Sequence, residues 1–187
     1  MTILVTGATG GIGGAVARAA REKGHDVVEW NRADFERGEP LPDASFDAVV
    51  FATGMCPVVP VASLSDVRFA ETLHVNCGLF LKIIREIVSR RLYAAGGMRV
   101  VAVSSVSASE GWAGGAAYCA SKGALSAICR ALDAELKPRG ISVSAIEPRY
   151  VKTKMFDACA GRMGVSAKLA RDPGELAEEI LKGLTKL

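Results

Sequence analysis

The sequence predicts an α/β fold: a doubly wound parallel sheet flanked by helices on both faces, in a single domain spanning residues 1–187. Three observations carry this expectation. Apolar, largely β-branched runs of five or six residues recur along the chain without the polar alternation of a half-exposed strand. Stretches with apolar residues at helical spacing separate these runs, and strands that alternate with helices imply βαβ units. Glycines gather where the first run passes into a helical stretch, and the chain holds 20 of them, which suits tight strand-to-helix turns.

The first strand is Thr2–Thr6, apolar and at the very start of the chain. It runs into Gly7-Ala8-Thr9-Gly10-Gly11-Ile12-Gly13-Gly14. Ala15, Val16, Ala19 and Ala20 then recur at helical spacing until Lys23-Gly24, where glycine suits a helix C-terminus. Strand, glycine turn and helix form the context of a phosphate loop. Glycines let backbone approach a pyrophosphate closely, and the helix start offers unpaired N–H groups and a positive dipole.

The second strand, Asp26–Trp30, ends at Asn31-Arg32. In such sheets this end faces an adenosine ribose, where an acidic residue selects a 2′-hydroxyl and an arginine accommodates a 2′-phosphate. Arg32 therefore favours NADP(H) over NAD(H), which the same loop also admits. Asp34 complicates that reading, and Asp34-Phe35 is a candidate cover for the adenine ring.

Residues 46–51 form the next strand, followed by an uncharged loop. A long helix is expected over residues 66–94, stopped by Gly96-Gly97. Residues 99–103 form another strand, ending at Ser104-Ser105. Residues 118–137 carry Ala124, Leu125, Ile128, Leu132 and Leu136 at helical spacing, so Tyr118 and Lys122 are i and i+4 on one helix face. A phenol with an ordinary pKa near 10 is a poor acid or base at neutral pH. A neighbouring ammonium favours the phenolate and makes proton transfer feasible, and a serine hydroxyl beside it can bind a reacting carbonyl. Residues 142–146 form the last strand. Residues 154–171 read as a short mobile lid over the substrate. In the final helix Asp172 caps the start, Pro173 opens the first turn and Glu175 completes a capping-box pattern, with Leu176, Ile180, Leu181 and Leu184 as its buried stripe.

Composition narrows the function. Half of the residues are hydrophobic and the net charge is only +3, with the signs mixed along the chain. This excludes a disordered chain and gives no footprint for nucleic acid. Residues 48–65 are uncharged, but Gly54, Pro57 and Pro60 interrupt them, so no membrane span or signal peptide is expected. Five unpaired cysteines, Cys56, Cys77, Cys119, Cys129 and Cys159, argue for reduced thiols in a cytoplasmic setting. His25 and His74 lack a cluster of further ligands, so no metal is expected.

Thr6-Gly7-x-x-x-Gly11-Ile12-Gly13, Asn76 in Leu73-His74-Val75-Asn76, Ser105 after Val103-Ser104, and Tyr118-Cys119-Ala120-Ser121-Lys122 occur in that order. In these motifs the chain resembles the short-chain dehydrogenase/reductases over nearly its whole length. The resemblance implies a Rossmann-like domain that moves hydride between a nicotinamide and a carbonyl or secondary alcohol. It implies Tyr118 as catalytic acid/base, and Lys122 as a ligand of the nicotinamide ribose that also depresses the Tyr118 pKa. Ser105 would polarise the substrate carbonyl, and Asn76 would hold a relay water. Gly7, Thr9, Gly11, Ile12, Gly13, Asn31, Arg32, Asp34, Ala52, Thr53, Gly54, Pro148, Val151 and Thr153 would line the cofactor, together with Tyr118 and Lys122. The expected partners are a small carbonyl or alcohol substrate and a second copy of the chain, as a homodimer.

Three departures stand out. Phe51-Ala52-Thr53-Gly54 replaces the usual Asn-Asn-Ala-Gly turn, keeping Gly54, so the asparagines that brace it are missing. Pro148-Arg149 replaces the usual Pro-Gly, placing a long cation near the nicotinamide end, where it either crowds the site or binds an acidic substrate. Residues 32–46 are too few for the usual extra helix and strand, and the usual final strand is missing, so the chain resembles a trimmed member. An alternative is a regulatory or scaffold protein that keeps the cofactor cradle and has lost turnover. An epimerase or dehydratase of the same broad superfamily is disfavoured, because those carry a larger C-terminal substrate domain.

Overall fold

A computed structural model describes residues 1–185. Five strands form one parallel sheet: β1 (Thr2–Thr6), β2 (Asp26–Trp30), β3 (Ala48–Phe51), β4 (Met98–Val103) and β5 (Ile141–Ile146), in the spatial order β2-β1-β3-β4-β5. The order reverses beside β1. The chain steps outward to β2, then crosses back to β3 on the other side of β1. Ligands of such sheets sit beyond the carboxyl ends of the strands at that reversal.

Both faces of the sheet are covered, which is why its strands read as continuous apolar runs. Ile3 and Val5 of β1 face α1 (Gly11–Glu22) and α7 (Pro173–Thr185), packing with Val16, Ala20, Leu176 and Ile180. Leu4 points the opposite way, into a cluster with Phe51, Phe80, Ile83, Leu125 and Leu136. That second cluster belongs to α4 (Leu79–Arg90) and α5 (Ala116–Leu136). The sheet is thus the middle of three layers, a Rossmann-like arrangement.

Three expectations change. The helix expected over residues 66–94 is not one element. It consists of α3 (Asp66–Leu73), a π-helical turn at His74–Gly78 and α4, and it ends at Arg90 rather than at Gly96-Gly97. Arg91 takes the left-handed conformation, φ 55°, and turns the chain so that Tyr93 can pair with Phe46. The long side chain of Arg90 holds the loop before β3 by donating to the Leu41 carbonyl at 2.8 Å. The segment expected to be a mobile lid folds as α6 (Lys154–Met163), capped by Thr153, whose hydroxyl accepts from the Phe156 N–H at 3.1 Å. In α7, Asp172 accepts from the Gly174 N–H at 2.7 Å, but among the described residues Glu175 makes no return bond. Between β2 and β3 the chain affords only one short helix, α2 (Arg32–Glu36), in line with the shortness of that stretch.

Close approach at the cradle fixes two glycines. Gly7 has φ +67°, and a Cβ there would lie 2.8 Å from the Ala52 carbonyl oxygen. A Cβ on Gly13 would overlap the Gly7 carbonyl, so α1 starts directly against the end of β1. Gly161, inside α6, has open space around it. Gly7→Ala is therefore expected to lower stability by about 1–3 kcal/mol. Gly161→Ala should raise it by about 0.5–1 kcal/mol through helix propensity. Urea unfolding of both variants beside the parent measures the contrast.

Candidate active site

The carboxyl ends of β3, β4 and β5 and the start of α1 open into a cleft. Its floor carries Ser105, Tyr118 and Lys122. Ser105 ends β4 and caps the short 3-10 turn Val106–Ala108, with its Oγ accepting from the Ser107 N–H at 3.1 Å. Tyr118 and Lys122 come from successive turns of α5, and the Lys122 ammonium lies 5.7 Å from the centre of the Tyr118 ring. Trp112 flanks the phenol, ring centres 6.3 Å apart, and donates its indole N–H to Ser107 Oγ at 3.1 Å.

Lys122 is almost wholly buried and donates to the Val103 carbonyl at 2.8 Å. Burial lowers its pKa from 10.5 to about 8. The Tyr118 phenol moves the other way. Burial pushes it well above its ordinary value of 10, the nearby thiol of Cys56 adds to this, and a hydrogen bond with Ser105 opposes it. The expected depression of Tyr118 by Lys122 therefore does not occur in this structure. The amine is itself desolvated and tied to a carbonyl, so burial outweighs its field and the phenol keeps its proton.

Asn76 stands behind the cleft on the π-helical turn, fully buried. Its Oδ1 accepts from the Met55 N–H at 2.8 Å. Its Nδ2 donates to the Met55 carbonyl at 3.0 Å and to Ser121 Oγ at 2.7 Å. Asn76 thus clamps the loop after β3 onto α5. Such π-turns often mark functional sites.

The other expected residues form two groups. Ile12, Ala52, Thr53, Gly54, Pro148, Val151 and Thr153 line the cleft with the catalytic candidates. Gly7, Thr9, Gly11, Gly13, Asn31, Arg32 and Asp34 lie outside it, along the limb running from the cradle to the end of β2. Gly10 begins α1 without a side-chain cap, and no acid occupies the first turn, so its N–H groups and positive dipole end are left for an anion. That bare, glycine-lined helix start fits a dinucleotide pyrophosphate. Thr153 packs its methyl over Gly11, where any Cβ would overlap it. Asn31 accepts from the Thr9 N–H at 3.2 Å and so fastens the glycine loop to β2.

Arg32 is exposed and pairs with Glu36 at 2.7 Å and Glu71 at 3.6 Å. Asp34 accepts from the Asn31 N–H at 2.6 Å and pairs with Arg37, so its carboxylate is committed to the local turn. Phe35 is buried edge-on against Trp30, ring centres 6.4 Å apart, and so cannot cover an adenine as expected. Its ring fills the core because α2 is a single turn and presents only that residue inward.

Sequence reasoning placed residues 154–171 over the substrate but missed the bracing by Thr6 and Ser121. Thr6 Oγ1 meets Thr53 Oγ1 at 2.9 Å and accepts from the Thr53 N–H at 3.3 Å, taking over the bracing of the turn after β3. Two threonines at the ends of adjacent parallel strands were the available signal. Met155, Phe156 and Met163 of α6 close the cleft from above. All five cysteines are free thiols, and Cys56 and Cys159 line the cleft.

Fold and site together define an α/β protein with a dinucleotide-type cradle beside a serine, phenol and amine cluster. The chain belongs to the short chain dehydrogenase family, whose profile matches residues 43–162. It is an NAD(P)-dependent oxidoreductase of the CH–OH/C=O class. It is 28% identical over 181 residues to 3-oxoacyl-[acyl-carrier-protein] reductase FabG of Rickettsia conorii, covering 83% of this chain and 75% of that protein. Among solved structures it is similar to a 4-hydroxyisoleucine dehydrogenase mutant complexed with NADH and succinate. That match has TM-score 0.84 and 22% identity, over 100% of this chain and 91% of the other. The fold also matches F189W actinorhodin polyketide ketoreductase with NADPH, at TM-score 0.76 and 21% identity, over 98% of this chain and 89% of the other.

The buried amine gives the site a measurable signature. Its folded pKa, about 8, lies below the ordinary 10.5, so between those values the unfolded chain binds more protons. The penalty of burying Lys122 is complete below pH 8 and gone above pH 10.5, on the order of 3 kcal/mol. The stability of the parent relative to Lys122→Met is expected to rise by up to that amount from pH 8 to 10.5. The lost bond to Val103 adds only a pH-independent offset. Urea unfolding of both proteins across that range checks the slope.

Proposed function

We propose that the protein is an NADP(H)-dependent carbonyl reductase in which Tyr118 is the catalytic acid. The observation that carries this reading is the convergence of Ser105, Tyr118 and Lys122 on one cleft floor beside an uncapped, glycine-lined helix start. When bound, the cofactor would supply the hydride. The bare start of α1 and the glycine loop would hold its pyrophosphate. Lys122 would bind the ribose hydroxyls next to Tyr118, while Ala52, Thr53, Gly54, Pro148, Val151 and Thr153 would enclose the nicotinamide end. Ser105 would donate a hydrogen bond to the substrate carbonyl oxygen and fix its orientation. Tyr118 would deliver its proton to that oxygen as negative charge builds there. The phenol holds the proton this step needs, although burial makes it a weaker donor until the site is occupied. Asn76 would keep the loop after β3 in place beneath the site.

Arg32 supports the NADP(H) preference. It is the cation at the end of β2, and its two carboxylate partners are exposed or half-exposed, so exchanging them for a 2′-phosphate costs little. Tyr118→Phe is expected to lower kcat by roughly 10²–10⁴-fold while leaving the NADPH affinity within about twofold. Arg32→Ala is expected to weaken NADPH about tenfold and NADH much less. Fluorescence titration with each cofactor, followed by steady-state rates on a carbonyl panel, reads both. Retained turnover in Tyr118→Phe would remove the phenol from the chemistry, whereas cofactor binding by the parent without turnover on any carbonyl would favour the regulatory or scaffold reading.

A homodimer and a cytoplasmic setting complete the proposal. The half-buried side chains of Val88 and Leu132 and the exposed Leu81 form an apolar strip between α4 and α5, which suits helix pairing with a second copy. Light scattering at micromolar concentration should give twice the chain mass; a monomer mass would overturn it.

A further inference from the structure

The charge of the cleft is one-sided. Among the described residues, Lys122 and Arg149 are its only charged lining residues, both cationic, and no carboxylate lines it. Lys122 is buried and bound to Val103, so Arg149 alone presents an exposed cation to whatever enters. Arg149 follows β5, and its guanidinium reaches across to Glu110 on the loop after β4, at 2.7 Å. One amino nitrogen makes that bond. Among the described residues, the other amino nitrogen and Nε have no partner. A guanidinium offers a fork of parallel N–H groups that matches a carboxylate in two-point fashion, and Glu110 uses one prong only. Both side chains are at least half exposed, at 59% and 50%. Such a surface pair is worth about 0–1 kcal/mol, so a better-placed anion displaces it readily. Much of the rest of the cleft lining is apolar, including Val106, Trp112, Tyr150, Met155 and Phe156. A carbonyl compound with an apolar body and an acid end matches that lining.

We infer that Arg149 is a specificity residue that binds the carboxylate of an oxo-acid substrate, with Glu110 holding the guanidinium at the cleft mouth until the substrate replaces it. This rests on the carbonyl-reductase reading for the reaction, but the anion site itself stands on the geometry alone. The cofactor's phosphates are the other anions that Arg149 could meet, and the experiment separates them.

The test pairs straight-chain oxo acids of three to eight carbons with their methyl esters, with NADPH saturating. A binding arm uses hexanoate and hexanamide, which cannot be reduced, titrated calorimetrically into the NADPH-saturated protein. Acids are expected to exceed esters in kcat/KM, chiefly through KM. Arg149→Ala is expected to lower that acid-to-ester ratio about 10- to 100-fold, the range for losing a charge-assisted pair, and Arg149→Lys to restore part of it. Glu110→Gln, which removes the competing carboxylate, should raise the ratio. Hexanoate should bind more tightly than hexanamide, and Arg149→Ala should abolish the difference. If acids and esters react alike, or the ratio ignores Arg149→Ala, the inference fails while the reductase reading stands. A tenfold loss of NADPH affinity in Arg149→Ala with an unmoved ratio assigns the guanidinium to the cofactor and also overturns it. If no carbonyl compound reacts but hexanoate still binds through Arg149, the reductase reading fails and the anion site stands. Failure of hexanoate to bind removes the anion site.

Discussion

The site depends on how α5 is fastened to the end of β4. An amphipathic helix laid on a sheet can slide or rotate by a fraction of a turn at little hydrophobic cost, because apolar contact is not directional. Here a seam of directional polar bonds removes that freedom. Lys122 donates to the Val103 carbonyl, and Ser104 Oγ donates to the Lys122 carbonyl at 3.1 Å, so one residue of the helix is gripped at both its side chain and its backbone. Ser126, one turn further on, meets Ser104 at 2.9 Å and Glu147 after β5 at 2.7 Å. On the other flank Ser121 joins the helix to Asn76, and through it to Met55. Tyr118 inherits its position from these bonds, because it lies on the same rigid helix four residues before the gripped one.

The same seam explains why the unusual turn after β3 still works. Ala52-Thr53 has no amide side chain to brace it. Thr6 and Thr53 supply hydroxyls from neighbouring strand ends, and Asn76 secures the next residues from below. Each hydroxyl bond is modest, about 1 kcal/mol net, but together they fix a backbone that glycine at position 54 would otherwise leave loose. A Cβ on Gly54 would stand 3.4 Å from Asn76 Oδ1 and 3.7 Å from Lys122 Nζ, within ordinary contact, so glycine is not required there for space.

Much of this was legible in the sequence, because the signals were local. The strand cores, the glycine turn at Gly7–Gly13 and the i, i+4 spacing of Tyr118 and Lys122 each follow from backbone geometry over a few residues. Arg149 was legible as an oddity for the same reason. What failed was decided by distant partners. The helix over residues 66–94 breaks at a π-turn because Asn76 must reach Met55, and nothing in its own spacing signals that. Phe35 points inward because Trp30 and the core leave room for it. The segment at 154–171 has small residues and glycines that suggest mobility, yet Phe156, Cys159 and Ala160 bury against the body and hold a helix. The direction of the Tyr118 pKa needed three-dimensional burial, which an i+4 ammonium does not reveal.

That last point reshapes the electrostatic logic of the site. From spacing alone, Lys122 looks like the charge that activates the phenol. In the folded chain the two groups share one desolvated pocket, and desolvation acts on them in opposite senses: it favours the neutral phenol and the neutral amine. Tyr118 keeps its proton at neutral pH. Lys122, poised about one unit above neutrality, remains largely charged at pH 7 but holds its proton weakly enough to respond to what binds beside it. The charge state of each group is thus a consequence of burying both together, which neither residue's place in the sequence reveals.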